Sequence, residues 1–337
     1  MKVVEIKDGF GLDRLQLAER PEPEAGRGQV LLRMRAAALN YRDLLMVQGQ
    51  YDPRQPLPLI PCSDGVGVVA AVGEGVQRVK IGDRVCPIFA QSWIGGSPTR
   101  ERSRATLGGP LDGTLAEWMV LDAEGVVGAP EHLSDEEAAA LPCATLTAWN
   151  ALVDHGRVKA GDTVLVEGTG GVALAALQFT NMLGARAIVT SSSDEKLARA
   201  TALGAWQTLN YRTHPEWARE VKRLTGGEGV DLVLDIGGAQ TLPQAVHAVR
   251  LGGCICSIGV VSGRSFEFDV TPVFMRQIRI QGVFVGSRDG FEAMNRAIVQ
   301  HGLRPAVSRT FAMHETRGAL EYLASAEHFG KICIRIP

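Results

Sequence analysis

The sequence has no hydrophobic run long enough to cross a membrane. A transmembrane helix needs about 20 consecutive apolar residues, and every apolar stretch here is interrupted by glycine, proline or a charged residue before that length. The first ten residues, MKVVEIKDGF, lack the apolar core of a secretory signal and are typical of a β-strand. We therefore expect no membrane partner, and without an export signal the expected compartment is the cytoplasm.

Cysteine and histidine are scarce, and neither forms a metal-binding pattern. The six cysteines include no C-x-x-C pair, and the seven histidines include no H-E-x-x-H spacing. A structural or catalytic zinc ion needs thiolate or imidazole ligands in tetrahedral number. The sequence therefore predicts reduced, mostly buried thiols and no metal.

Neither sign of charge dominates the chain. Its 35 basic and 37 acidic residues give a net charge of −2 and are spread along the sequence, whereas a nucleic-acid-binding domain carries a basic face. What is abundant is glycine: 39 residues, many of them directly after apolar runs, where they predict turns at strand ends. With 337 residues and 45% apolar composition, the chain can build two domains with ordinary cores.

The sequence has two successive parts that differ in their pattern of apolar residues. Short apolar stretches separated by glycine and proline predict a mostly β domain over residues 1–125, with a long surface loop over residues 88–111. Further on, a capping-box pattern of Ser134 and Glu137 predicts a helix start. From there strands and helices alternate to about residue 287, which predicts a parallel sheet.

The sharpest motif lies at residues 163–179, TVLVEGTGGVALAALQF. An apolar strand runs directly into Gly168-x-Gly170-Gly171-x-Ala173 and then into a helical pattern, which is the dinucleotide-binding fingerprint in its required context. The first glycine permits the tight turn, and the second allows the backbone to approach a pyrophosphate. Free N–H groups at the start of the helix, Val172 among them, favour the phosphate charge.

The end of the next predicted strand favours NADP over NAD. An NAD site usually has Asp or Glu about 20 residues after the glycines, but here the strand ends in Thr-Ser-Ser-Ser at residues 190–193. The hydroxyls of Ser191 and Ser192 can donate hydrogen bonds to a 2′-phosphate, and Lys196 adds a positive charge. The alternative is structural: Ser192 and Glu195 fit a capping box, with Lys196 on the helix surface.

Five further segments occur together in the order and spacing of one superfamily: GDRV (82–85), LTAW (146–149), GDTVLV (161–166), VDLVLD (230–235) and GGCICSIG (252–259). Over nearly its whole length the sequence resembles the medium-chain dehydrogenase/reductase superfamily. The resemblance implies an α/β fold, with a doubly wound Rossmann sheet (126–287) inserted in a GroES-like, mostly β catalytic domain (1–125 and 288–337). It also implies an active site in the cleft between the two domains.

The zinc ligands of that superfamily have no counterparts here. The segment that carries its cysteine ligand is Asn40-Tyr41-Arg42-Asp43 in this chain, and its Gly-His-Glu ligand segment is 62–64, Cys-Ser-Asp. The predicted loop at residues 88–111, where a structural zinc lobe would fall, contains no cysteine. The sequence is thus similar to zinc-free quinone oxidoreductases and zeta-crystallin, although residues 100–104 look more like bacterial reductases labelled zinc-type alcohol dehydrogenases.

The resemblance assigns further cofactor contacts. It implies that Lys196 and Tyr211 hold the 2′-phosphate of NADPH, that Thr147 lies near the nicotinamide, and that Lys331 reaches the cofactor. The full set expected at the cofactor is Thr147, Gly168, Gly170, Gly171, Val172, Ser191, Ser192, Lys196, Tyr211, Gly259 and Lys331.

The lack of zinc ligands restricts the classes of substrate with which the protein could react. Alcohol oxidation needs a Lewis acid to stabilise an alkoxide, whereas a quinone or an α,β-unsaturated carbonyl delocalises the charge, so that hydrogen-bond donors suffice. Asn40 offers an amide donor, and Tyr51, or less directly Tyr41, could orient or protonate the acceptor. Each has a structural alternative: Asn40 as a loop amide bound to its own backbone, and Tyr51 as a packed aromatic.

The leading hypothesis is a zinc-free, NADPH-dependent reductase of small quinones or enones. Two alternatives stay open: an enoyl-thioester reductase of a biosynthetic pathway, and a non-catalytic NADPH-binding sensor or structural protein. The resemblance also implies a homodimer and gives no sign of a nucleic-acid partner.

Overall fold

A computed structural model describes all 337 residues, which form two compact units. The first unit comprises Met1–Leu146 and Val285–Pro337, and the second comprises Thr147–Phe284. No helix is both long and apolar enough to span a bilayer.

The chain forms fifteen strands and eleven α-helices. The strands are β1 (Lys2–Ile6), β2 (Leu15–Glu19), β3 (Gln29–Leu39), β4 (Asp64–Val72), β5 (Arg84–Pro87), β6 (Trp118–Asp122), β7 (Val126–Gly128), β8 (Thr163–Glu167), β9 (Arg186–Ser191), β10 (Gln207–Asn210), β11 (Val230–Asp235), β12 (Val249–Ser257), β13 (Arg279–Gly282), β14 (Val307–Ala312) and β15 (Lys331–Arg335). The helices are α1 (Tyr41–Val47), α2 (Arg100–Arg104), α3 (Asp135–Ala139), α4 (Leu146–Trp149), α5 (Gly171–Met182), α6 (Asp194–Ala202), α7 (Trp217–Leu224), α8 (Leu242–Ala248), α9 (Thr271–Met275), α10 (Arg288–His301) and α11 (Thr316–Ala324).

The first unit is organised around β3, the long central strand of a seven-stranded sheet. The sheet runs in the order β14-β15-β3-β4-β5-β7, and β6 also pairs with β3. Both β4 and β15 are antiparallel to β3, with Ala38 opposite Asp64 and Leu39 opposite Ile332. The last residue of β3 therefore lies beside the first residues of two neighbouring strands, which is where the polar site described below forms.

The second unit is a six-stranded, fully parallel sheet. Its order is β10-β9-β8-β11-β12-β13, so that the chain begins at the centre, moves outward to one side and then restarts on the other. This is the doubly wound arrangement whose reversal point, between β8 and β11, binds ligands at the carboxyl ends of the strands. The parallel sheet of the predicted Rossmann fold is confirmed.

Several boundaries differ from the predicted ones for identifiable reasons. Residues 126–146 group with the first unit because β7 pairs with β5 and α3 packs against β3 and β4. The capping box of Ser134 and Glu137 forms as expected. Residues 141–155 form a composite helix in which α4 is flanked by two π-helical stretches, Leu141–Thr145 and Asn150–His155.

Candidate functional site

The dinucleotide fingerprint folds into a strand, a glycine elbow and a helix. Gly168 follows β8 with φ +84°, a conformation that disfavours any side chain, and its N–H donates to Thr190 O at 2.9 Å. Gly170 is the N-cap of α5 and provides no side-chain cap, so the first-turn N–H groups of this 12-residue helix have no capping side chain. A helix N-terminus with uncapped N–H groups is an anion site, and these residues fit a pyrophosphate.

The residues predicted for the 2′-phosphate gather at the end of β9. Ser191 ends the strand, its carbonyl accepts the N–H of Tyr211 at 3.1 Å, and Tyr211 leaves 42% of its surface exposed. The helix α6 is capped by Ser193, whose Oγ accepts the N–H of Lys196 at 3.3 Å. The alternative capping box of Ser192 and Glu195 is therefore wrong by one residue: α6 begins at Asp194, so its N-cap is Ser193.

Two other predicted cofactor residues have structural roles visible in the second unit. Thr147 lies on α4 and is almost fully buried. A Cβ added at Gly259 would lie 2.3 Å from the carbonyl oxygen of Ile236, so close backbone packing alone requires glycine there.

Two buried acidic residues lie at the reversal point between β8 and β11, and the sequence did not lead us to predict them. Glu167 ends β8 and Asp235 ends β11, which are neighbouring strands. Glu167 Oε2 accepts the N–H groups of Ile236 and Gly237, at 3.1 and 3.2 Å, and Asp235 Oδ1 accepts from Gly238 N at 3.1 Å. The remaining oxygens, Glu167 Oε1 and Asp235 Oδ2, have no N–H or hydroxyl donor.

These two carboxyl groups share their environment and cannot both be ionised without cost. Burial first, and then the charge of Asp235, raise the pKa of Glu167 well above its usual range. A proton on Glu167 lets one acid donate to the other, which accounts for the two oxygens left without other donors. The signal in the sequence was an acidic residue immediately before the first glycine of the fingerprint.

In the first unit, four polar side chains form a closed ring of hydrogen bonds at the end of β3. The ammonium of Lys331 donates to Asn40 Oδ1 at 2.6 Å and to Asp64 Oδ2 at 3.3 Å. Asn40 Nδ2 donates to Ser63 Oγ at 3.3 Å, and the Ser63 hydroxyl donates to Asp64 Oδ1 at 2.9 Å. The third hydrogen of the ammonium goes to the carbonyl oxygen of Leu39 at 2.7 Å.

The ring lies in a nearly water-free environment. Lys331 is 4% exposed, and Ser63 and Asp64 are fully buried. Burial lowers the pKa of Lys331, but the carboxylate of Asp64 and other nearby acidic groups raise it by more, so the net pKa lies above its usual value. The lysine therefore remains an ammonium ion, and all three of its N–H donors are used within the first unit.

Neighbouring residues fix α1 in place. The N–H of Asn40 donates to Asp43 Oδ2 at 2.8 Å, while the Asn40 side chain turns away toward Ser63 and Lys331. Asn40 is the N-cap of α1, and its side chain also bonds Ser63 and Lys331, so the alternative of an amide that binds its own backbone describes only part of this geometry. Burial raises the pKa of Asp43 to about 6, against the opposing effect of the Arg42 guanidinium.

The two candidate tyrosines differ in their surroundings. The ring centroid of Tyr51 lies 4.9 Å from the guanidinium carbon of Arg42, and that of Phe89 lies 5.1 Å from the same atom. Arg42 is held by Leu107 O at 2.9 Å, so the Tyr51 ring stacks on a fixed cation. Tyr41 is the exposed first residue of α1.

The residues at this site do not fit a zinc ion. Nowhere in the chain do three or more His, Cys, Asp or Glu side chains gather as a metal site requires. The oxygens of Leu39, Asn40 and Asp64 that converge here already surround the Lys331 ammonium, and Zn²⁺ prefers thiolate and imidazole ligands. A divalent ion would have to displace a buried, paired cation.

Comparison with known proteins matches both units to dehydrogenase families. The family profile described as the alcohol dehydrogenase GroES-like domain matches residues 26–131, and that described as zinc-binding dehydrogenase matches residues 171–300. A zinc-type alcohol dehydrogenase-like protein of Schizosaccharomyces pombe is 40% identical over 334 residues, which cover 97% of this chain and 96% of that protein.

Two solved structures show the same fold over nearly the whole chain. An NAD-dependent alcohol dehydrogenase is 37% identical with a TM-score of 0.92, and the match covers 100% of both chains. The 2-octenoyl-CoA carboxylase reductase CinF, solved with NADP and 2-octenoyl-CoA, is 26% identical with a TM-score of 0.89, covering 99% of this chain and 87% of that one.

Proposed function

The chain belongs to the medium-chain dehydrogenase/reductase superfamily, and we propose that it is a zinc-independent, NADPH-dependent reductase of a quinone or an α,β-unsaturated carbonyl. The observation that carries the proposal is the hydrogen-bonded ring of Lys331, Asn40, Ser63 and Asp64. By resemblance, Asn40 and Ser63 occupy the positions of zinc ligands in zinc enzymes of this superfamily, and Asn40 would provide an amide donor in place of a Lewis acid.

The second unit supports the cofactor half of the proposal. When bound, the reduced nicotinamide supplies a hydride. Gly168, Gly170, Gly171 and Val172 would hold the pyrophosphate against the N-terminus of α5. Ser191, Ser192, Lys196 and Tyr211 would take the 2′-phosphate, since no carboxylate stands at the end of β9 to repel it. Of two similar solved structures, one is described as NAD-dependent and the other contains NADP. The coenzyme preference of this protein is therefore tested by measuring its affinity for both coenzymes.

Residues of the first unit would stabilise the acceptor. As hydride reaches a quinone or enone, negative charge grows on a carbonyl oxygen, and a fixed N–H donor stabilises it most in a site with little water. Asn40 Nδ2 is such a donor. Tyr51, which stacks on Arg42, would orient the acceptor or deliver the proton. Tyr41 is the weaker candidate because it lacks such a stacking contact, although the two rings are similarly exposed.

The test is NADPH oxidation with three groups of acceptors: quinones, simple enones and enoyl-CoA thioesters. The expected result is turnover of quinones or enones by protein that metal analysis shows to hold no zinc and that a chelator does not inhibit. Stoichiometric zinc, or activity that chelation abolishes, would overturn the zinc-independent mechanism. Tight NADPH binding without turnover of any acceptor would favour the sensor alternative.

An enoyl-thioester substrate is the second candidate. The observation in its favour is the likeness to CinF, whose structure contains 2-octenoyl-CoA. The hydride acceptor in such a thioester is also an α,β-unsaturated carbonyl, so the same donor would serve. A kcat/KM for enoyl-CoA that exceeds those for all free enones by 100-fold or more would select this candidate.

We also propose that the protein is a homodimer that pairs through β13. This strand is an edge of the second unit's sheet and has β12 as its only neighbour. Apolar side chains are unusually exposed near it: Val270 (58%), Phe274 (64%) and Met275 (67%), and such patches mark interfaces. Light scattering should give the mass of a dimer for the wild type and that of a monomer for Phe274→Asp. A monomeric wild type would refute the pairing.

A further inference from the structure

We propose that Lys331 is a positioning residue that orients and polarises the amide of Asn40, so that one N–H of Asn40 is presented as the hydrogen-bond donor to the hydride acceptor. This inference rests on the proposed reductase function and identifies the residue behind its donor. It assigns Lys331 to Asn40 rather than to the cofactor, where resemblance alone would place it.

The orientation of the amide follows from the donors around it. An ammonium has three donors and no acceptor, so the atom of Asn40 that faces Lys331 at 2.6 Å must be the oxygen. The nitrogen then faces Ser63 Oγ, and the Ser63 hydroxyl is free to donate to Asp64, because Asp64 only accepts. Each hydrogen bond in the ring thus has a single possible direction.

The ring leaves one donor uncommitted. Nδ2 of Asn40 carries two hydrogens, and Ser63 Oγ takes one; no group of the protein accepts the other. The ammonium gives all its hydrogens to Leu39, Asn40 and Asp64. Asn40 is also the half-buried member of a ring whose other side chains are buried, so its N–H is the one donor of the ring that a small molecule could reach.

The charge of Lys331 also strengthens that donor. A charge-assisted hydrogen bond to the amide oxygen draws electron density from the nitrogen, and linked hydrogen bonds polarise one another in a low-dielectric interior. The contact with Asn40 is the shortest of the three that the ammonium makes. A lysine needed only to neutralise Asp64 would not require this contact.

The test is a double-mutant cycle on kcat with the acceptor that the wild type turns over best. Removing one donor to a developing oxyanion typically lowers kcat about 10²- to 10³-fold. We expect Asn40→Ala to show a loss of this kind and Lys331→Met a loss of at least 10-fold, with the Kd for NADPH unchanged within twofold. The double variant should be no slower than Asn40→Ala, because Lys331 acts through Asn40.

Two companion variants separate this role from folding. Asn40→Asp keeps an oxygen facing Lys331 but has no N–H, so it should fold and still lose activity as Asn40→Ala does. If Lys331→Met does not fold, the cycle is run in Asp64→Asn, where Asp64→Asn/Lys331→Met carries no buried charge and Asp64→Asn alone is its matched control. Multiplicative losses in the cycle, or a weakened NADPH affinity with unchanged kcat, would overturn the proposal.

A readout without turnover keeps the inference distinct from the proposed function. The side-chain NH₂ of Asn40, identified in ¹⁵N spectra by its disappearance in Asn40→Asp, should lose its downfield-shifted, slowly exchanging signal in Lys331→Met. If the wild type turns over no acceptor but the signal responds, the reductase proposal fails and the positioning role stands. If the signal does not respond, the positioning role fails regardless of activity.

Discussion

Each unit of this protein buries acidic side chains at strand termini, and the two units limit their negative charge differently. In the first, Asp64 is paired with the ammonium of Lys331 at 3.3 Å. In the second, Glu167 lies beside Asp235 with no cation contributing to its pKa shift, and burial raises that pKa so that it keeps a proton. A cation leaves a permanent charge pair that can polarise its neighbours, whereas a shared proton leaves a neutral acid whose state depends on pH.

The comparison teaches why each solution suits its unit. In the first unit, the pair of Lys331 and Asp64 lies beside the amide of Asn40, which we propose as hydrogen-bond donor. There a fixed positive charge strengthens donation by that amide. The acidic pair of the second unit lies directly before the glycine elbow and binds the N–H groups that follow β11. There a second negative charge, added to that of Asp235, would further oppose the phosphate of a bound dinucleotide, and a proton on Glu167 avoids that added repulsion.

The largest expected effect comes from removing the cation of the first cluster. Lys331→Met leaves the buried carboxylate of Asp64 unpaired, and breaking a buried ion pair in this way typically costs about 3–5 kcal/mol of unfolding free energy. Asp64→Asn/Lys331→Met should recover most of that loss, because no charge stays buried. Urea unfolding of both variants and of Asp64→Asn measures the coupling; a single-variant loss below about 1 kcal/mol would show that water reaches the pair.

The pair of Glu167 and Asp235 should make the stability of the second unit depend on pH. Because the native pKa of Glu167 is raised, the native state keeps a proton that the unfolded state loses once pH exceeds the ordinary glutamate value. Stability of the second unit therefore falls as pH rises toward the native pKa, by up to about 1.4 kcal/mol per pH unit for one proton.

Glu167→Gln should remove that slope and make the second unit more stable than the wild type at pH 8, since the amide matches the protonated acid. Hydrogen exchange of the β8 and β11 amides at several pH values reports on this unit alone. Glu228→Gln, which removes an exposed acid of the same unit, serves as the control and should leave the slope in place. A Glu167→Gln variant that is less stable at every pH would mean that Glu167 is ionised in the native state.

The two clusters also differ in how visible they are in the sequence. The elbow of the second unit is local: strand, glycines and helix follow one another within residues 163–179, and periodicity and turn chemistry predict all three. The ring of the first unit joins Asn40 to Lys331 across 291 positions, and only the pairing of β15 with β3 brings them together. A lysine in the segment Phe-Gly-Lys carries no local sign that its ammonium will be buried.

Local patterns also misled at one element of the site. Helix α1 was not predicted, because its buried run Leu44–Val47 lacks the polar face of an amphipathic helix and follows a long strand. Short apolar runs of this kind do not distinguish helix from strand. The position of Asn40 as the residue between β3 and α1 therefore became clear only in the structure.

The cofactor preference tests whether the second unit uses a cation of its own. Lys196→Ala should raise the Kd for NADPH about 10-fold, equivalent to about 1.4 kcal/mol of binding free energy. The Kd for NADH should stay nearly unchanged, since only NADPH carries the 2′-phosphate. Arg199→Ala removes a positive charge three residues further along α6 and is the matched control. The dissociation constants are measured from cofactor fluorescence. An equal loss of affinity for NADPH and NADH in Lys196→Ala would refute the contact between Lys196 and the 2′-phosphate.

The smallest effect is expected from an ion pair that is shorter than the buried one. Arg317 and Glu321 lie 3.0 Å apart on α11, with 60% and 53% of their side chains exposed. Water and salt screen such a pair, so Glu321→Gln should cost no more than about 0.5 kcal/mol, and 1 M salt should erase the difference. Under the same salt the loss caused by Lys331→Met should persist, because screening ions do not enter the ring. If salt reduced both losses in equal proportion, the pair of Lys331 and Asp64 would have to be open to solvent, and its charge could not act on Asn40 as proposed.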